Sequence, residues 1–247
     1  MTEHPKGPVT AATTETADQS ATANGEQDTA SAIARPRRQS QKRSLARIEA
    51  LLNAADQLLN ERDPQNIGVY DIANLAGVPP TSAYHFFPTK EAAMLALAER
   101  YLRRLYEATA APPDMSEVEN WRDYVRDRYY KIVTFFNNNL PARKLLIGPA
   151  VGSDIKNLDI NDVDRYSERW YSSINTYFVM PYIKYSSFKI LNMISIQDGV
   201  WMTSYVKYGY ISESFAKEGL RAVIAYLETF LPDAIPLRDP GLVREID

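Results

Sequence analysis

The sequence predicts an all-α protein in which a helix-turn-helix unit is followed by a larger helical body. Apolar residues recur at helical spacing from Ser44 towards the C-terminus, and neither an alternating strand pattern bounded by turns nor an internal repeat interrupts them. Residues 71–91 also place an apolar helix, a glycine turn and a second short helix in the order expected of a helix-turn-helix. Together these two observations set the predicted fold class.

Composition and length suit a globular chain with one large or two modest domains. The 247 residues are 45% hydrophobic, which is ample for a buried core. Cysteine is absent, and neither a signal-peptide pattern nor an apolar run of bilayer length occurs, so we expect a cytoplasmic protein. The net charge of −3 argues against uniform electrostatic binding to nucleic acid, so the distribution of charge along the chain matters more.

The N-terminal region divides into an acidic segment and a basic one. Residues 1–34 are rich in Thr, Ala, Ser, Asp and Glu, so they cannot bury enough apolar area to offset the entropy cost of ordering. Residues 35–48 carry six Lys or Arg and no acid. We therefore predict a disordered tail with a basic arm at residues 1–43. The arm either contacts DNA phosphates or the minor groove, or is a solvated linker.

A first helix is predicted from Ser44 to about Asp63. Its apolar residues form one stripe of an amphipathic helix, which comprises Leu45, Ile48, Leu51, Leu52, Ala55, Leu58 and Leu59. Pro64 ends the helix, because proline disfavours helical geometry in the residue before it. We expect this helix to pack across the two helices that follow.

The next helix and its turn have clear boundary signals. Gly68 is expected at the N-cap, with the Asp71 carboxylate close to the free amides of the first turn. Gly77 can supply the positive φ that the turn needs, and Val78 then returns to the core. The pattern therefore predicts a helix from about residue 69 to residue 76.

The second helix of the pair is predicted to begin at Pro79-Pro80. A proline at the first helical position loses no hydrogen bond, and Pro80 holds Pro79 in the extended geometry of a cap. Thr89 is the expected cap of a long helix from Lys90 to about Thr109, which a proline pair ends. We expect this long helix to link the helix-turn-helix to the body.

This segment resembles the DNA-binding signature of tetracycline-repressor (TetR) regulators. In that family an Asp-Ile-Ala segment, a Gly-Val turn, a Tyr-x-x-Phe recognition helix and a Lys-Glu helix start follow in fixed order. The matching positions are Asp71-Ile72-Ala73, Gly77-Val78, Tyr84 with Phe87, and Lys90-Glu91. The resemblance extends upstream through Arg47 to Leu59 and more loosely to the C-terminus. It implies a three-helix DNA-binding domain at 44–90, a helical effector-binding and dimerisation domain at 91–234, and a C-terminal tail at 235–247.

Several positions depart from the family pattern. Asp63 stands where glycine is common, and Gly68 lacks the hydroxyl of the usual Thr or Ser. Pro79 and Thr81 replace a usual Ser and Gly at the start of the recognition helix. The scaffold positions agree with the family while several DNA-facing positions do not, so we expect this protein to read a DNA sequence of its own.

Candidate DNA contacts lie on the recognition helix and around it. Sequence readout needs side chains that reach base edges, and phosphate contacts that set the register. By the resemblance, the Tyr84 and Lys90 positions contact phosphate. The full set comprises Arg47, Gly68, Tyr70, Pro80, Thr81, Ser82, Tyr84, His85 and Lys90. Two alternatives stay open, a half-buried Tyr84 and a His85 that only faces solvent; Phe87 is expected in the core.

The residue content argues against an enzyme. Without cysteine, and with one histidine beyond the N-terminal tail, a Ser-His or Cys-His pair lacks its base and a zinc site lacks ligands. The acidic residues between Asp154 and Glu168 suit a solvated loop and helix start better than a paired acid and base. We therefore expect no catalytic site, no metal and no cofactor.

The helical body is rich in aromatic residues that share helix faces. Its helices are predicted at residues 117–137, 142–147, 162–179, 188–211 and 212–231. Aromatic stripes are usually core, but pockets between helices are also aromatic with a few polar groups. The family places an inducer or co-repressor in this body, so we predict an effector pocket that comprises Tyr124, Ile132, Phe136, Tyr166, Trp170, Tyr177, Asp198 and Trp201. Gln197 and Asp198 either supply its polar groups or face solvent.

The pattern of the last two helices predicts that the body also forms a dimer interface. The helix at 188–211 is apolar on more than one face and needs cover on several sides. Two such helices from each of two chains can form a four-helix interface with two-fold symmetry. The predicted dimer interface comprises Gly199, Leu220, Val223, Ile224, Leu227 and Phe230. The alternative is burial of these residues within one chain.

Three functional hypotheses follow from these patterns. The first is a ligand-responsive repressor that binds a palindromic operator in double-stranded DNA as a homodimer, associates with the nucleoid when bound, and is released by a small apolar or aromatic effector. The second is a DNA-binding protein without an effector, whose aromatic body is a packed core. The third is an enzyme or carrier that has kept the scaffold. No membrane partner is expected.

Overall fold

The computed structural model describes residues 26–149, 152, 154–155 and 163–238, and it confirms the all-α prediction. The chain divides into two units, Met1–Leu45 and Ala46–Asp247. The helices are α1 (Glu26–Glu61), α2 (Val69–Ala76), α3 (Pro80–Phe86), α4 (Lys90–Ala110), α5 (Trp121–Asn138), α6 (Leu140–Ala142), α7 (Val163–Asn175), α8 (Ser186–Tyr208) and α9 (Glu213–Glu228). A π-helical segment (Arg143–Ile147) follows α6. Within the described ranges, β-type pairing is limited to an isolated antiparallel bridge between Phe178 and Leu237.

The first helix begins earlier than predicted. α1 starts at Glu26 rather than at Ser44, so the basic residues 35–43 lie on helical backbone. The disorder predicted for residues 1–25 lies outside the described residues.

The apolar stripe of α1 is buried over its C-terminal half. The buried members of the predicted stripe are Leu51, Leu52, Ala55, Leu58 and Leu59, and Ile48 is half-buried. Leu45 is 57% exposed, contrary to the prediction. α4 covers the buried half, where Arg100 donates a 2.7 Å hydrogen bond to Asn53 Oδ1. Periodicity alone cannot tell how far along a stripe the covering helix reaches.

The boundary signals predicted for α2 and its turn are confirmed. Gly68 is the N-cap of α2, and its amide donates a 2.8 Å hydrogen bond to Asp71 Oδ2. Gly77 ends the helix at φ 63°, a conformation that glycine adopts without strain. Val78 is then 7% exposed, and Pro79 has the extended backbone (φ −53°, ψ 134°) that precedes α3.

The long helix α4 begins and ends close to its predicted bounds. Thr89 is its N-cap, and its hydroxyl oxygen accepts a 3.2 Å hydrogen bond from the Ala92 amide. The helix runs to Ala110, one residue beyond the predicted end at Thr109. One continuous helix therefore leads from the recognition helix into the body.

Helix α5 begins at Trp121, four residues later than predicted, because Asn120 caps it. Asn120 Oδ1 accepts a 2.9 Å hydrogen bond from the Arg122 amide. The Asn120 amide in turn donates to Asp123 Oδ2 at 3.2 Å, which completes a capping box. Glu117 thus lies in the preceding loop rather than in the helix.

The region after α7 differs from the prediction at both ends. α7 ends at Asn175 rather than at Val179, whose amide donates a 2.8 Å hydrogen bond to the Pro236 carbonyl. Arg238 Nε donates a 2.6 Å hydrogen bond to the Asn175 carbonyl, which belongs to the last turn of α7. The predicted C-terminal tail at 235–247 is therefore packed against the body as far as Arg238, and its remaining residues are outside the described part of the chain.

Two fully buried tryptophans anchor the core of the body. Trp121 Nε1 donates a 3.0 Å hydrogen bond to the Pro232 carbonyl, and Trp201 Nε1 donates a 2.7 Å hydrogen bond to Tyr129 Oη. Gly219 lets α9 approach α5 closely, since a Cβ there would lie 2.3 Å from Tyr129 Oη. Tyr129 of α5 thus contacts both Trp201 of α8 and the backbone of α9 at Gly219, beside the cavity described below.

Candidate functional site

The recognition helix α3 keeps its small and aromatic anchors inside and its polar residues outside. Ala83 and Phe87 are 0% and 7% exposed, as predicted for Phe87. Tyr84 is 48% exposed, so it is not covered by the three-helix unit. Thr81 and His85 are also exposed, and Ser82 is half-buried. This face can therefore meet a partner without any rearrangement of the core.

The predicted DNA contacts that flank the recognition helix differ in whether they are exposed and free to bind DNA. Tyr70 is 58% exposed, and Arg47 and Pro80 are exposed as well. The Gly68 amide already donates to Asp71 within the start of α2. A backbone amide has a single hydrogen to donate, so Gly68 is a helix cap here and not the phosphate-binding amide that the sequence suggested.

Lys90 lies at the start of α4, beside the end of α3. It is half-buried, and its Nζ donates a 3.1 Å hydrogen bond to the Gln65 carbonyl. An ammonium group carries three donors, so this bond positions the group without using it up. Lys90 can therefore still donate to an anion such as a DNA phosphate.

A cavity of about 570 Å³ lies between α4, α5, α7 and α8. Val223 of α9 and Leu146 and Ile147 of the π-helical segment complete its wall. Seven of the eight residues predicted for an effector pocket line it, namely Tyr124, Ile132, Phe136, Tyr166, Trp170, Asp198 and Trp201. The wall is thus mostly apolar and aromatic, with a few polar side chains.

Tyr177 is the predicted pocket residue that does not line the cavity. The prediction placed Tyr177 on the same helix face as Tyr166, in a helix running to residue 179. The helix ends at Asn175, so the two residues do not share a face. The Tyr177 ring instead packs against the Tyr124 ring at a centroid distance of 5.6 Å. It therefore supports a cavity residue without reaching the cavity.

Two tyrosines of the cavity wall, Tyr129 and Tyr166, have raised pKa values. The pKa of Tyr166 is raised to about 12, mainly by burial, with a lowering by the Arg169 guanidinium and a smaller raising by the Asp198 carboxylate included in that value. Burial also raises the pKa of Tyr129, whose hydroxyl accepts the hydrogen bond from Trp201. At neutral pH both hydroxyls are thus uncharged hydrogen-bonding groups.

The two arginines of the cavity wall are engaged by the protein. Arg128 donates a 2.8 Å hydrogen bond to the Ala111 carbonyl and another to the Thr109 carbonyl, at the C-terminal end of α4. The Arg169 guanidinium lies 4.6 Å from the centroid of the Tyr106 ring. These contacts hold α4 against α5 and α7, on either side of the cavity.

A lysine of the π-helical segment links the cavity wall to α1. Lys144 Nζ donates 2.9 Å hydrogen bonds to the carbonyls of Leu59 and Arg62, and lies 3.4 Å from Asp63 Oδ1. A cation at a helix C-terminus satisfies unpaired carbonyls and complements the helix dipole. Ile147, three residues further along, lines the cavity. The same segment therefore contacts both the cavity and the end of α1.

Sequence reasoning missed the part of the cavity wall that α4 supplies. Leu102, Leu105 and Tyr106 line the cavity, although none of the predicted pocket residues lies on α4. Leu102, Leu105 and Tyr106 continue at the helical spacing of the buried Ala98 and Tyr101, and that second apolar surface was the available signal. No sequence pattern indicated that Leu146 and Ile147 of the π-helical segment line the cavity, because packing against the neighbouring helices decides which side of this short segment faces inward.

The residues predicted for a dimer interface do not form one surface. Val223 and Leu227 are 1% and 0% exposed within the single chain, because α9 turns them towards the core, so they are not interface residues. Leu220, Ile224 and Phe230 are half-buried. Gly199 is exposed, and a Cβ there would meet no atom within 4 Å. The exposed apolar residues near it on α8 are Met202 and Val206, at 37% and 64% exposure.

In the described ranges no three His, Cys, Asp or Glu side chains come together as a metal site would require. None of the helices described there combines the length and apolar character needed to cross a bilayer.

The helix-turn-helix region resembles known regulators in sequence. The family described as "Bacterial regulatory proteins, tetR family" matches residues 51–97. An uncharacterised HTH-type transcriptional regulator of Mycobacterium tuberculosis is 36% identical over 66 residues, which cover 27% of this chain and 33% of that protein. The HTH-type transcriptional regulator EthR of the same species is 34% identical over 77 residues, or 30% of this chain and 36% of EthR. The chain thus matches about a third of the length of these curated relatives.

Solved structures resemble the fold over most of its length. A TetR-family transcriptional regulator from Streptomyces coelicolor superposes with a TM-score of 0.55 at 20% identity, covering 75% of this chain and 99% of that one. SmeT, the repressor of the Stenotrophomonas maltophilia multidrug efflux pump SmeDEF, gives 0.51 at 17% identity over 80% and 96% of the two chains. The fatty acid degradation regulator FadR from Bacillus halodurans gives 0.52 at 14% identity over 72% and 94%. At these identities the likeness concerns the fold.

Proposed function

We propose that this chain is a cytoplasmic transcriptional repressor of the tetR family, which binds a palindromic operator as a homodimer and is released by a small apolar or aromatic effector. The proteins it resembles are transcriptional regulators and not enzymes. In this proposal residues 44–90 bind DNA, and residues 91–234 bind the effector and a second copy of the chain.

The observation that carries the proposal is that α4 has Lys90, the proposed phosphate contact, at one end and the cavity at the other. Lys90 begins α4 beside the recognition helix, while Leu105 and Tyr106, four turns further, line the cavity. A ligand can change DNA affinity only if it binds one arrangement of the reading helices better than another. Because α4 is one rigid helix that reaches both the DNA-binding unit and the cavity, ligand binding in the cavity can favour one arrangement of the reading helices over another.

Polar contacts make α1 follow the movement of α4. Arg100 donates to Asn53 Oδ1 at 2.7 Å and lies 3.7 Å from Asp56 Oδ2, and the Tyr101 hydroxyl also donates to the Asp56 carboxylate. A shift of α4 caused by the ligand is therefore transmitted to the whole three-helix unit. Lys144 at the end of α1 supplies a second connection to the cavity wall.

The alternative is a DNA-binding protein without an effector, whose aromatic body is simply packed core. A cavity of about 570 Å³ is within the size range of small-molecule sites. Its wall is mostly apolar and aromatic with a few polar side chains, which is the composition of such sites. This lining between four helices favours the ligand-responsive regulator.

Selection of bound fragments from the source genome tests DNA binding. We expect enrichment of a roughly palindromic sequence whose half-sites lie about 34–36 Å apart, the spacing of successive major grooves. Enrichment without any common sequence would contradict operator recognition. The genes beside the enriched fragments then indicate which compounds to test as effectors.

Thermal denaturation with a panel of apolar and aromatic compounds tests effector binding. A ligand at 100 times its Kd should stabilise the folded protein by about 2.7 kcal/mol. Trp170 and Trp201 line the cavity, so binding should also change tryptophan fluorescence. The effector proposal requires that a compound detected in this way also lowers operator affinity. Compounds that bind without changing operator affinity would favour the alternative.

A further inference from the structure

Gln197 places an unpaired amide in the wall of the cavity. Its side chain is 8% exposed and lines the cavity. Within the described part of the chain, this amide forms no hydrogen bond. The Gln197 amide is not among the fully buried side-chain groups that lack a partner, so its polar atoms are accessible from the cavity. An amide without a protein partner that faces a cavity is available to hydrogen-bond a bound ligand.

The other buried polar side chain of α8, Ser204, is paired by the protein itself. Its hydroxyl donates a 2.9 Å hydrogen bond to the Tyr210 carbonyl and accepts one from the Ser212 amide at 2.9 Å. The fold thus pairs Ser204 with backbone, and the amide of Gln197 differs by facing the cavity.

The surroundings of Gln197 define the chemistry of its partner. Met193 and Trp201 lie one turn away on either side along α8, and both are buried and line the cavity. The indole N–H of Trp201 is already donated to Tyr129 Oη at 2.7 Å. Gln197 can offer both a donor, Nε2, and an acceptor, Oε1, without a charge. Its complement is a neutral group that also presents one acceptor and one donor on an aromatic frame.

We propose that Gln197 is the specificity-determining residue of the cavity, and that it selects uncharged aromatic carboxamides. The Gln197 Nε2 donates to the carbonyl oxygen of the ligand, and Oε1 accepts from its amide N–H, while the aromatic wall binds the rings. This inference rests on the proposed function, in which the cavity is the effector site. A site built around such a pair rejects an analogue that lacks the polar group, because the protein amide is then left unpaired.

The test compares two probes of nearly equal shape, N-phenylbenzamide and trans-stilbene, by isothermal titration calorimetry. The wild-type protein should bind N-phenylbenzamide at least about tenfold more tightly than trans-stilbene. Gln197→Leu keeps the size of the side chain and should abolish that preference. Asn192→Leu makes the same change on the same helix at a residue that donates to Tyr226 Oη rather than lining the cavity, and should keep the preference.

The unfolding temperature without ligand is a second measurement. A structural role for Gln197 would lower it in the Gln197→Leu variant, whereas a role in ligand recognition would not. Because the amide has no protein partner, Gln197→Leu should unfold at the same temperature as the wild type or at a higher one. A lower unfolding temperature would assign the amide to the fold and overturn the proposal. Equal affinity for both probes, tighter binding of trans-stilbene, or no binding of either would overturn it as well.

Failure of the proposed function gives a different result. If N-phenylbenzamide binds through Gln197 but leaves operator affinity unchanged, ligand-controlled repression is wrong while the recognition by Gln197 stands. If operator release occurs with another compound while Gln197→Leu changes no selectivity, repression stands and the recognition is wrong.

Discussion

At the scale of single residues, the start of α4 and the cavity wall hold the groups with the clearest roles. Lys90 is oriented by its bond to the Gln65 carbonyl, and Tyr84 and His85 project from α3. In the cavity, Tyr166 and Gln197 are uncharged polar groups set among aromatic rings. Each of these roles depends on the neighbours of the side chain, so each is tested by a single substitution.

Lys90→Ala should weaken binding to all DNA sequences and reduce the salt dependence of binding by about one unit of slope, as expected when a phosphate contact is lost. Operator affinity at several salt concentrations measures this slope. Lys217→Ala, a lysine on the surface of α9 that is paired with Glu213, should leave it unchanged. If Lys90→Ala changed discrimination at a single base position instead, its role as a phosphate contact would be wrong.

Tyr166 should make the folded state less stable at high pH. Its pKa rises from the ordinary 10.0 to about 12 in the folded protein, so the folded state holds this proton more tightly than the unfolded chain. The resulting stabilisation is fully present below pH 10 and is lost as the pH rises to about 12. Thermal unfolding between pH 9 and pH 12 should show a shallower decline for Tyr166→Phe. An unchanged decline would contradict this role, and Tyr182→Phe at an exposed position serves as the control.

At the scale of elements, helix ends and close helix contacts decide how the body is held together. The π-helical segment uses Lys144 to satisfy the last carbonyls of α1. Gly219 allows α9 to pack against Tyr129 of α5, which in turn supports Trp201 of α8. Both contacts lie beside the cavity, and neither follows from the pattern of a single helix.

Lys144→Met should destabilise the protein by about 1–3 kcal/mol, because two carbonyls at the end of α1 lose a charged donor. The methionine keeps a similar length and burial, so the loss reports the hydrogen bonds. Chemical denaturation measures the free energy of unfolding. Lys217→Met breaks an exposed pair and should change it little. Comparable effects of both substitutions would show that Lys144 is only another surface charge.

Gly219→Ala should destabilise the protein by about 1–3 kcal/mol, although alanine favours helix more than glycine does. The added Cβ would lie 2.3 Å from Tyr129 Oη, so the ring would have to move away from Trp201. Thermal unfolding and tryptophan fluorescence measure both effects. Adding Tyr129→Phe removes the clashing oxygen and should make Gly219→Ala less costly. A loss of the same size in both backgrounds would place the strain elsewhere.

At the scale of the whole molecule, repression requires two reading units at a fixed separation. The α8 surface around Gly199 offers exposed apolar area for such an interface, with Met202 at 37% and Val206 at 64% exposure. A symmetric pair of such surfaces can close a dimer without leaving an open end. The two recognition helices would then face the two half-sites of the proposed palindrome.

Val206→Glu should yield a folded monomer, because a carboxylate at this exposed position disturbs an interface but not the core of one chain. Analytical ultracentrifugation measures the association state, and circular dichroism checks that the helices persist. Met115→Glu, an apolar-to-acid change in the loop before α5, should remain dimeric. Dimers that survive Val206→Glu at unchanged affinity would move the interface to another surface. Operator affinity should fall together with dimerisation.

The all-α class, the bounds of α2 and α4, the start of α3 and seven of the cavity residues could be predicted from the sequence alone. Those features depend on local rules, since capping groups, a left-handed glycine and 3.6-residue periodicity act over a few neighbouring positions. Tertiary structure alone decided that Val223 faces the core, that Tyr177 lies outside the cavity and that Lys144 caps α1. These features depend on which surfaces meet across long stretches of chain, and a periodic pattern identifies an apolar face without identifying what covers it.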